Sequence, residues 1–239
     1  MNRENAKKAA GQEAAQLVRD DMRLGLGTGS TTAYALKAIG ERIQAEGLDV
    51  RGVPTSFAAE RLARTHGIPL TTLDEGPVLD LAIDGADEVD PSLRLIKGRG
   101  GAHTREKVVA TQADRFVVLV DPTKTVERLG TKRVLPVEVL PMAVEPVVMA
   151  LREWGATPTL RMATEKDGPV VTDQGFWLLD AEFPDGIEEP AALDDFLSRR
   201  PGVLDHGLFL DVATDVIIGH SDGRTQHRTP EQQESRSST

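Results

Sequence analysis

A chain of 239 residues can bury an ordinary core without covalent staples, and with no cysteine it makes no disulfide, zinc–thiolate site, iron–sulfur cluster or thiol nucleophile. Thirty-eight acidic residues against 28 Lys and Arg give a formal charge of −10, which argues against a general nucleic-acid or anionic-membrane surface, so an anionic ligand needs a local basic exception. No apolar run nears the ~20 residues of a bilayer span, and the polar start MNRENAKKAAGQEAA is unlike a signal peptide; the expectation is a soluble chain of a reducing compartment, the cytoplasm.

Apolar periodicity and turn signals alternate through the first half as βαβα units feeding a mostly parallel sheet. A polar, Ala-rich helix spans about Glu4 to Arg19, a strand at Leu24 to Leu26 enters GTGS, and a helix follows with Leu36, Ile39 and Ile43 on one face. Val50 to Val53 reads as a strand, Ser56 caps a helix that stops at Gly67, and Ile68 to Leu73 reads as a further strand. Leu81 to Ile83 is a buried strand ending in DGADEVD, Leu93 to Ile96 a short strand, and Thr104 opens a helix through Ala110. Phe116 to Val120 is the continuous apolar run of a strand covered on both faces.

After about Gly130, prolines at 136, 141, 146 and 158 and shorter segments (Val137 to Leu140, Pro169 to Thr172, Phe176 to Leu179) predict a smaller α+β unit. GLFLDVATDVIIG then returns to the first sheet. The predicted organisation is a catalytic α/β unit of residues 1–130 plus 207–223, a small unit of 131–206, and a disordered tail at 224–239, which has no aliphatic core residues.

Four clusters carry chemistry. GLGTGSTTA places glycines 25, 27 and 29 between strand and helix, with Ser30 and Thr31 as hydroxyl donors, so backbone N–H groups can meet an anion at the helix N-terminus. The dinucleotide fingerprint fails at Ser30 and the P-loop lysine is absent, and a plain capped turn accounts for the glycines about equally well. In DGADEVD, Asp84 and Asp87 stand at a strand end, fit for proton transfer; taken alone, a solvated acidic turn or a hard-cation site competes, and the solvated turn is the usual outcome. In KGRGGAHTREK, Lys97 can steady an oxyanion while Glu106 moves a proton, although a first-turn glutamate is also what a helix dipole favours. Lys124 follows the FVVLV strand, where a ligand phosphate can meet it.

The basic exceptions sit here. Arg94 to Lys107 holds five basic residues and one acidic, and Lys124 to Arg133 holds four and one. For any single residue a wet surface face explains the charge; for the clusters together it is strained. The five histidines show no ligand spacing, so no metal site is expected.

GLGTGSTTAYAL, DGADEVD, IKGRGGAHTREK, VDPTKTVERLG and LPVEVLPMA, in this order, closely resemble the ribose-5-phosphate isomerase A family over nearly the whole chain, from about Asn5 to Gly223. The resemblance implies a Rossmann-like domain with a smaller ferredoxin-like α+β domain, no cofactor or metal, a sugar-phosphate substrate, and a homodimer or tetramer. It implies that Glu106 is the base moving a proton between C2 and C1, that Asp84 and Asp87 handle ring opening and hydroxyl protons, and that Lys97 stands beside the reacting oxygens. Thr28, Gly29, Ser30 and Thr31 match the phosphate and sugar loop, Gly85 and Ala86 the aspartate turn, and Lys124, with Lys7 behind it, the phosphate contacts.

Two departures stand out. Gly98, Arg99 and Gly100 match the family's substrate-binding glycine run, which Arg99 interrupts, either crowding the loop or adding a phosphate contact, and His103 replaces a more usual apolar residue. A sugar-phosphate-sensing domain would share the fold without turnover, but the intact Asp84, Asp87, Lys97 and Glu106 argue against it. A nicotinamide oxidoreductase would need the fingerprint that Ser30 breaks.

Overall fold

The computed structural model describes residues 3–230. Helix α1 (Arg3–Ala15) turns one alanine-rich face inward, with Ala6, Ala10 and Ala14 buried, so it packs closely on its neighbours. Strand β1 (Arg23–Leu26) leads into α2 (Thr32–Glu46), which ends where Gly47 takes a left-handed conformation. Strand β2 (Arg51–Pro54) is followed by α3 (Phe57–Thr65), whose N-cap Ser56 accepts the N–H of Ala59 as its position predicts. Then come β3 (Leu81–Gly85), β4 (Glu88–Val89), β5 (Leu95–Ile96), α4 (His103–Thr111) and the fully buried β6 (Phe116–Val120).

The second region runs β7 (Leu135–Val139), α5 (Val144–Glu153), β8 (Thr157–Leu160), β9 (Trp177–Glu182), α6 (Pro190–Ser198) and β10 (Val203–His206). The chain closes with β11 (Leu208–Phe209), β12 (Asp215–Gly219) and β13 (Thr225–Arg228).

The main sheet has six strands in the order β13-β12-β6-β3-β1-β2, parallel except for β13. Chain order therefore reverses between β1 and β3, a doubly wound pattern in keeping with the Rossmann-like domain that the family resemblance implies. One face packs on α1 and α2 through Ala10, Leu36, Ile39 and Ile217; the other packs on α4 and on a three-stranded sheet, β11-β5-β4, through Val109, Leu95 and Phe209. The second region is a four-stranded antiparallel sheet, β10-β7-β9-β8, built from a βαββαβ run. Its strand order is that of a ferredoxin-like unit. Its own core includes Val137, Val147, Leu179 and Leu193.

Four sequence expectations are corrected. Ile68 to Leu73 is no strand: one bridge, Gly52 to Leu70, is all the parallel pairing it makes, and Pro69 lacks the N–H a ladder needs. Pro169 to Thr172 likewise makes only isolated bridges. Leu93 stands at φ 60° in a turn that the Asp90 carboxylate holds through the Arg94 N–H (2.9 Å) and guanidinium (2.6 Å), so the strand shortens to Leu95–Ile96. Within the expected tail, Thr225–Arg228 pairs antiparallel with β12, because an edge strand needs backbone partners more than aliphatic side chains. Residues 231–239 of that tail lie outside the described residues. Among the described residues no helix is long and apolar enough to cross a membrane.

Candidate active site

Strands β1 and β3 lie side by side and pass their carboxyl ends to the two loops singled out in the sequence, Thr28–Thr31 and Asp84–Asp87. In an open parallel sheet this reversal point leaves a crevice, since the connections leave to opposite faces. A cavity of about 390 Å3 opens there. Thr28, Gly29, Ser30, Thr31, Gly85, Ala86, Asp87, Lys97, Gly98, Arg99, Gly100, Glu106, Lys124 and Lys7 all line it. Asp84 sits just behind the lining, against Lys97.

Three ionisable side chains are buried together at the inner wall. Lys97, from the end of β5, is 3 % exposed; its ammonium donates to the Gly85 carbonyl oxygen and stands 3.1 Å from Asp84 Oδ2 and 3.2 Å from Glu106 Oε2. Asp84, the fourth residue of β3, accepts at Oδ1 from the Thr28 N–H (2.9 Å) and its neighbour's Gly85 N–H (2.7 Å). Glycine is required opposite it, because a Cβ on Gly27 would lie 2.3 Å from that carboxyl group. Asp84 Oδ2 and Glu106 Oε2 share the Lys97 ammonium as their one polar neighbour among the described residues. The solvated-turn reading of DGADEVD is thereby overturned for Asp84, Glu88 and Asp90, all of which are buried.

Glu106, in the first turn of α4, is 7 % exposed. Burial first, then the charge of Asp84, raises its pKa to about 8, against the opposing pull of Lys97. Burial also raises Asp84, with Lys97 opposing. Burial works to lower Lys97, but the charges of Asp84 and Glu106 outweigh it and its pKa is raised. The result is a cation facing two carboxylates with high proton affinity, one of them at a cavity wall.

The outer part of the cavity holds positive charge. Lys124, in the turn after β6, lies 3.6 Å from Asp87, whose other oxygen accepts the Arg99 N–H at 3.0 Å. Arg99 therefore joins the loop through its backbone and leaves its side chain exposed, so it does not crowd Lys97. Arg161, pinned by Asp180 at 2.8 and 2.5 Å, donates to the carbonyls of Gly98 (3.3 Å) and Arg99 (2.9 Å). The second sheet thus fastens the Lys97 loop. Gly98 takes φ 101°, and a side chain there would strike His103 Nδ1 at 2.6 Å. His103 is buried beneath this loop as packing and does not line the cavity.

Sequence reasoning did not single out Arg3, Thr123 or Arg133, which also line the cavity. Arg133 had a signal in the basic run from Lys124; Arg3 and Thr123 had none, since an exposed helix start and a turn threonine are ordinary. No group of three or more metal-ligating side chains comes together among the described residues.

The family model of ribose 5-phosphate isomerase A (phosphoriboisomerase A) matches residues 51–223. The chain belongs to the ribose 5-phosphate isomerase A family. It is 56 % identical over 224 residues to the ribose-5-phosphate isomerase A of Gloeothece citriformis (strain PCC 7424), covering 93 % of this chain and 94 % of that one. To the Haloarcula marismortui enzyme of the same name it is 56 % identical over 220 residues, covering 92 % and 94 %. Among solved structures, ribose 5-phosphate isomerase A of Methanocaldococcus jannaschii superposes with a TM-score of 0.90 at 43 % identity, over 96 % of this chain and all of that one. A D-ribose-5-phosphate isomerase in complex with phospho-erythronic acid superposes equally well, TM-score 0.90 at 45 % identity, over 93 % and 97 %.

Proposed function

We propose that this chain, an isomerase by family, interconverts D-ribose 5-phosphate and D-ribulose 5-phosphate through an enediolate, with Glu106 as the base. The observation that carries the reading is the buried set Asp84, Lys97 and Glu106 at the inner wall of a cavity whose mouth is basic. The proton on C2 of the open-chain aldose is weakly acidic because it neighbours a carbonyl. Ionised Glu106 takes that proton, the C2 electrons form the C1–C2 double bond, and the carbonyl pair moves onto O1. The Lys97 ammonium stabilises the charge on the enediolate oxygens. The proton on O2 passes to O1, and Glu106 returns its proton to C1 as the O2 electron pair forms the C2 carbonyl, giving the ketose with a hydroxyl on C1. Nothing is oxidised or reduced overall.

Asp84, raised in proton affinity by burial, and Asp87, at the cavity surface, are assigned to ring opening and to the hydroxyl protons. Thr28 to Thr31 are assigned to the phosphate and sugar, and Lys124 and Lys7 to the phosphate, where the start of α2 supplies backbone donors. Phospho-erythronic acid, seen in the 45 % identical structure, is a phosphorylated four-carbon sugar acid, and this supports a short phosphorylated sugar as occupant.

Proton NMR of ribose 5-phosphate in D2O tests the assignment. The wild type should yield ribulose 5-phosphate with deuterium entering C2 of recovered substrate, and Glu106→Gln should lose on the order of 10² to 10⁴-fold in turnover while still folding. Near-normal turnover by E106Q would remove Glu106 from the mechanism.

The division into residues 1–130 with 207–223 and 131–206 is supported by the separate cores of the two sheets, with β13 added to the first unit. A cysteine-free sequence and a metabolic family support a cytoplasmic setting. The motif resemblance supports a homodimer or tetramer; sedimentation as a monomer at micromolar concentration would count against it.

A further inference from the structure

The segment that leads from the main sheet into the second, residues 130–133, is tied down by a carboxylate that the mechanism does not use. Glu88 on β4 is fully buried, and its oxygens accept the backbone N–H groups of Gly130 (2.6 Å), Lys132 (2.6 Å) and Arg133 (2.7 Å). Among the described residues it has no ion-pair partner, so three amides carry its charge. The Lys132 ammonium donates to the Thr125 carbonyl at 2.8 Å, closing the segment onto the turn that bears Lys124.

Glu88 follows Asp87 directly, so one stretch of chain turns Asp87 to the cavity and Glu88 toward this segment. The residue so fixed, Arg133, lines the cavity. Its guanidinium has no ion pair or hydrogen bond among the described residues. The cavity's acids are engaged elsewhere: Asp87 with Lys124 and the Arg99 N–H, Asp121 with the N–H and hydroxyl of Thr123. An unneutralised guanidinium at a cavity wall attracts an anion, and the phosphate is the only charged group of a pentose 5-phosphate.

We propose that Arg133 holds the substrate's phosphate and that Glu88 is a positioning residue that sets Arg133 in place through the backbone of residues 130–133. The proposal rests on the isomerase reading above. Arg133 contributes to binding substrate and transition state alike, so its loss acts mainly on KM. Glu88 contacts no substrate and acts through Arg133.

Steady-state kinetics on ribose 5-phosphate at low and high salt, with the wild type, Arg133→Ala, Arg133→Lys, Glu88→Gln and the E88Q/R133A double variant, test both parts. R133A should raise KM on the order of tenfold, with a smaller fall in kcat, and should flatten the salt dependence of KM. R133K should recover part of the loss. E88Q keeps the size of Glu88 but not its capacity to accept three N–H groups; it should raise KM in the wild-type background and add little to R133A. If the wild type turns over and R133A leaves KM unchanged, the role of Arg133 is overturned. If E88Q lowers kcat and melting temperature equally in both backgrounds, its role is structural only. A wild type that leaves ribose 5-phosphate untouched overturns the isomerase reading beneath the proposal, an outcome distinct from the other two.

Discussion

Helix α4 borders two charged clusters on different sides, one buried and one half-buried, and they behave oppositely. Glu106 joins Asp84 and Lys97 at the cavity, while His103, Thr104 and Lys107 face Glu138, Thr172, Asp205 and His206 at the seam with the second sheet. Each cluster has two carboxylates and one lysine, and the ring of Phe209 lies between them, 5.5 Å from Lys97 Nζ and 5.1 Å from Lys107 Nζ. At the seam the carboxylates are satisfied. Glu138 accepts the hydroxyls of Thr104 and Thr172, and Asp205 takes Lys107 at 2.5 Å and the His206 N–H at 2.7 Å. At the cavity, Asp84 Oδ2 and Glu106 Oε2 have only the shared Lys97 ammonium, at 3.1 and 3.2 Å. Buried charge alone thus makes no reactive site; unfilled hydrogen-bonding capacity beside an open cavity does.

The sharpest way to break the comparison is Lys97→Met, which keeps the length of the stem and removes the charge. Turnover should fall on the order of 10² to 10³-fold through lost oxyanion stabilisation. A pH shift should accompany it. Lys97 lowers the proton affinity of Glu106, so its removal moves Glu106 above its present value of about 8. The base acts when ionised, so the rise of kcat/KM with pH should move to higher pH in K97M. An unmoved profile would detach Lys97 from Glu106.

Glu138→Ala strikes the satisfied cluster instead. It strands the hydroxyls of half-buried Thr104 and buried Thr172 and should cost about 2–4 kcal/mol of stability, read from thermal or urea unfolding. Turnover of the folded fraction should fall far less than in K97M, because the seam holds α4 without touching substrate. A variant with intact stability and K97M-like loss of turnover would place Glu138 in the chemistry.

This contrast also explains what was legible in the sequence. The cavity cluster was legible as short motifs, each ambiguous alone, that the family resemblance joined into one site of Asp84, Lys97 and Glu106. The mostly parallel sheet was legible in the alternating βα units, while the strand order was not. The seam was not legible. Glu138 sits in an apolar strand and Thr172 in a proline-flanked loop, and only tertiary pairing joins them to Thr104, 34 residues before Glu138. Asp90 and Glu88 looked like solvated acids because their partners, Arg94 in a tight turn and the amides of residues 130–133, are set by backbone geometry that composition does not reveal. The pairing of Thr225–Arg228 was hidden likewise, since a β-ladder is made by main-chain groups.

The smallest expected effect tests whether His103 belongs to the satisfied cluster or merely borders it. Its Nδ1 has no hydrogen-bond partner, and Nε2 reaches only the Asp205 carbonyl at 3.5 Å, with Glu138 Oε2 at 4.0 Å. Burial first, then the charge of Lys107, lowers its pKa from the ordinary 6.5 to about 3, with Arg161 and Lys97 adding to the shift. The folded state therefore binds fewer protons than the unfolded state between these values, and stability is lost as pH falls from about 6.5 toward 3. His103→Leu removes an unsatisfied nitrogen and the proton linkage together. At pH 7 its stability should lie within about 1 kcal/mol of the wild type, because a poorly bonded polar group gives way to an apolar one of similar size. Below pH 6.5 the variant should become progressively the more stable of the two, as the wild type alone pays for keeping the ring neutral. Melting curves at pH 7, 6, 5 and 4 check this directly; parallel losses in the two proteins would mean that His103 is protonated in place, with Glu138 4.0 Å away as its partner, and that the seam holds a buried ion pair.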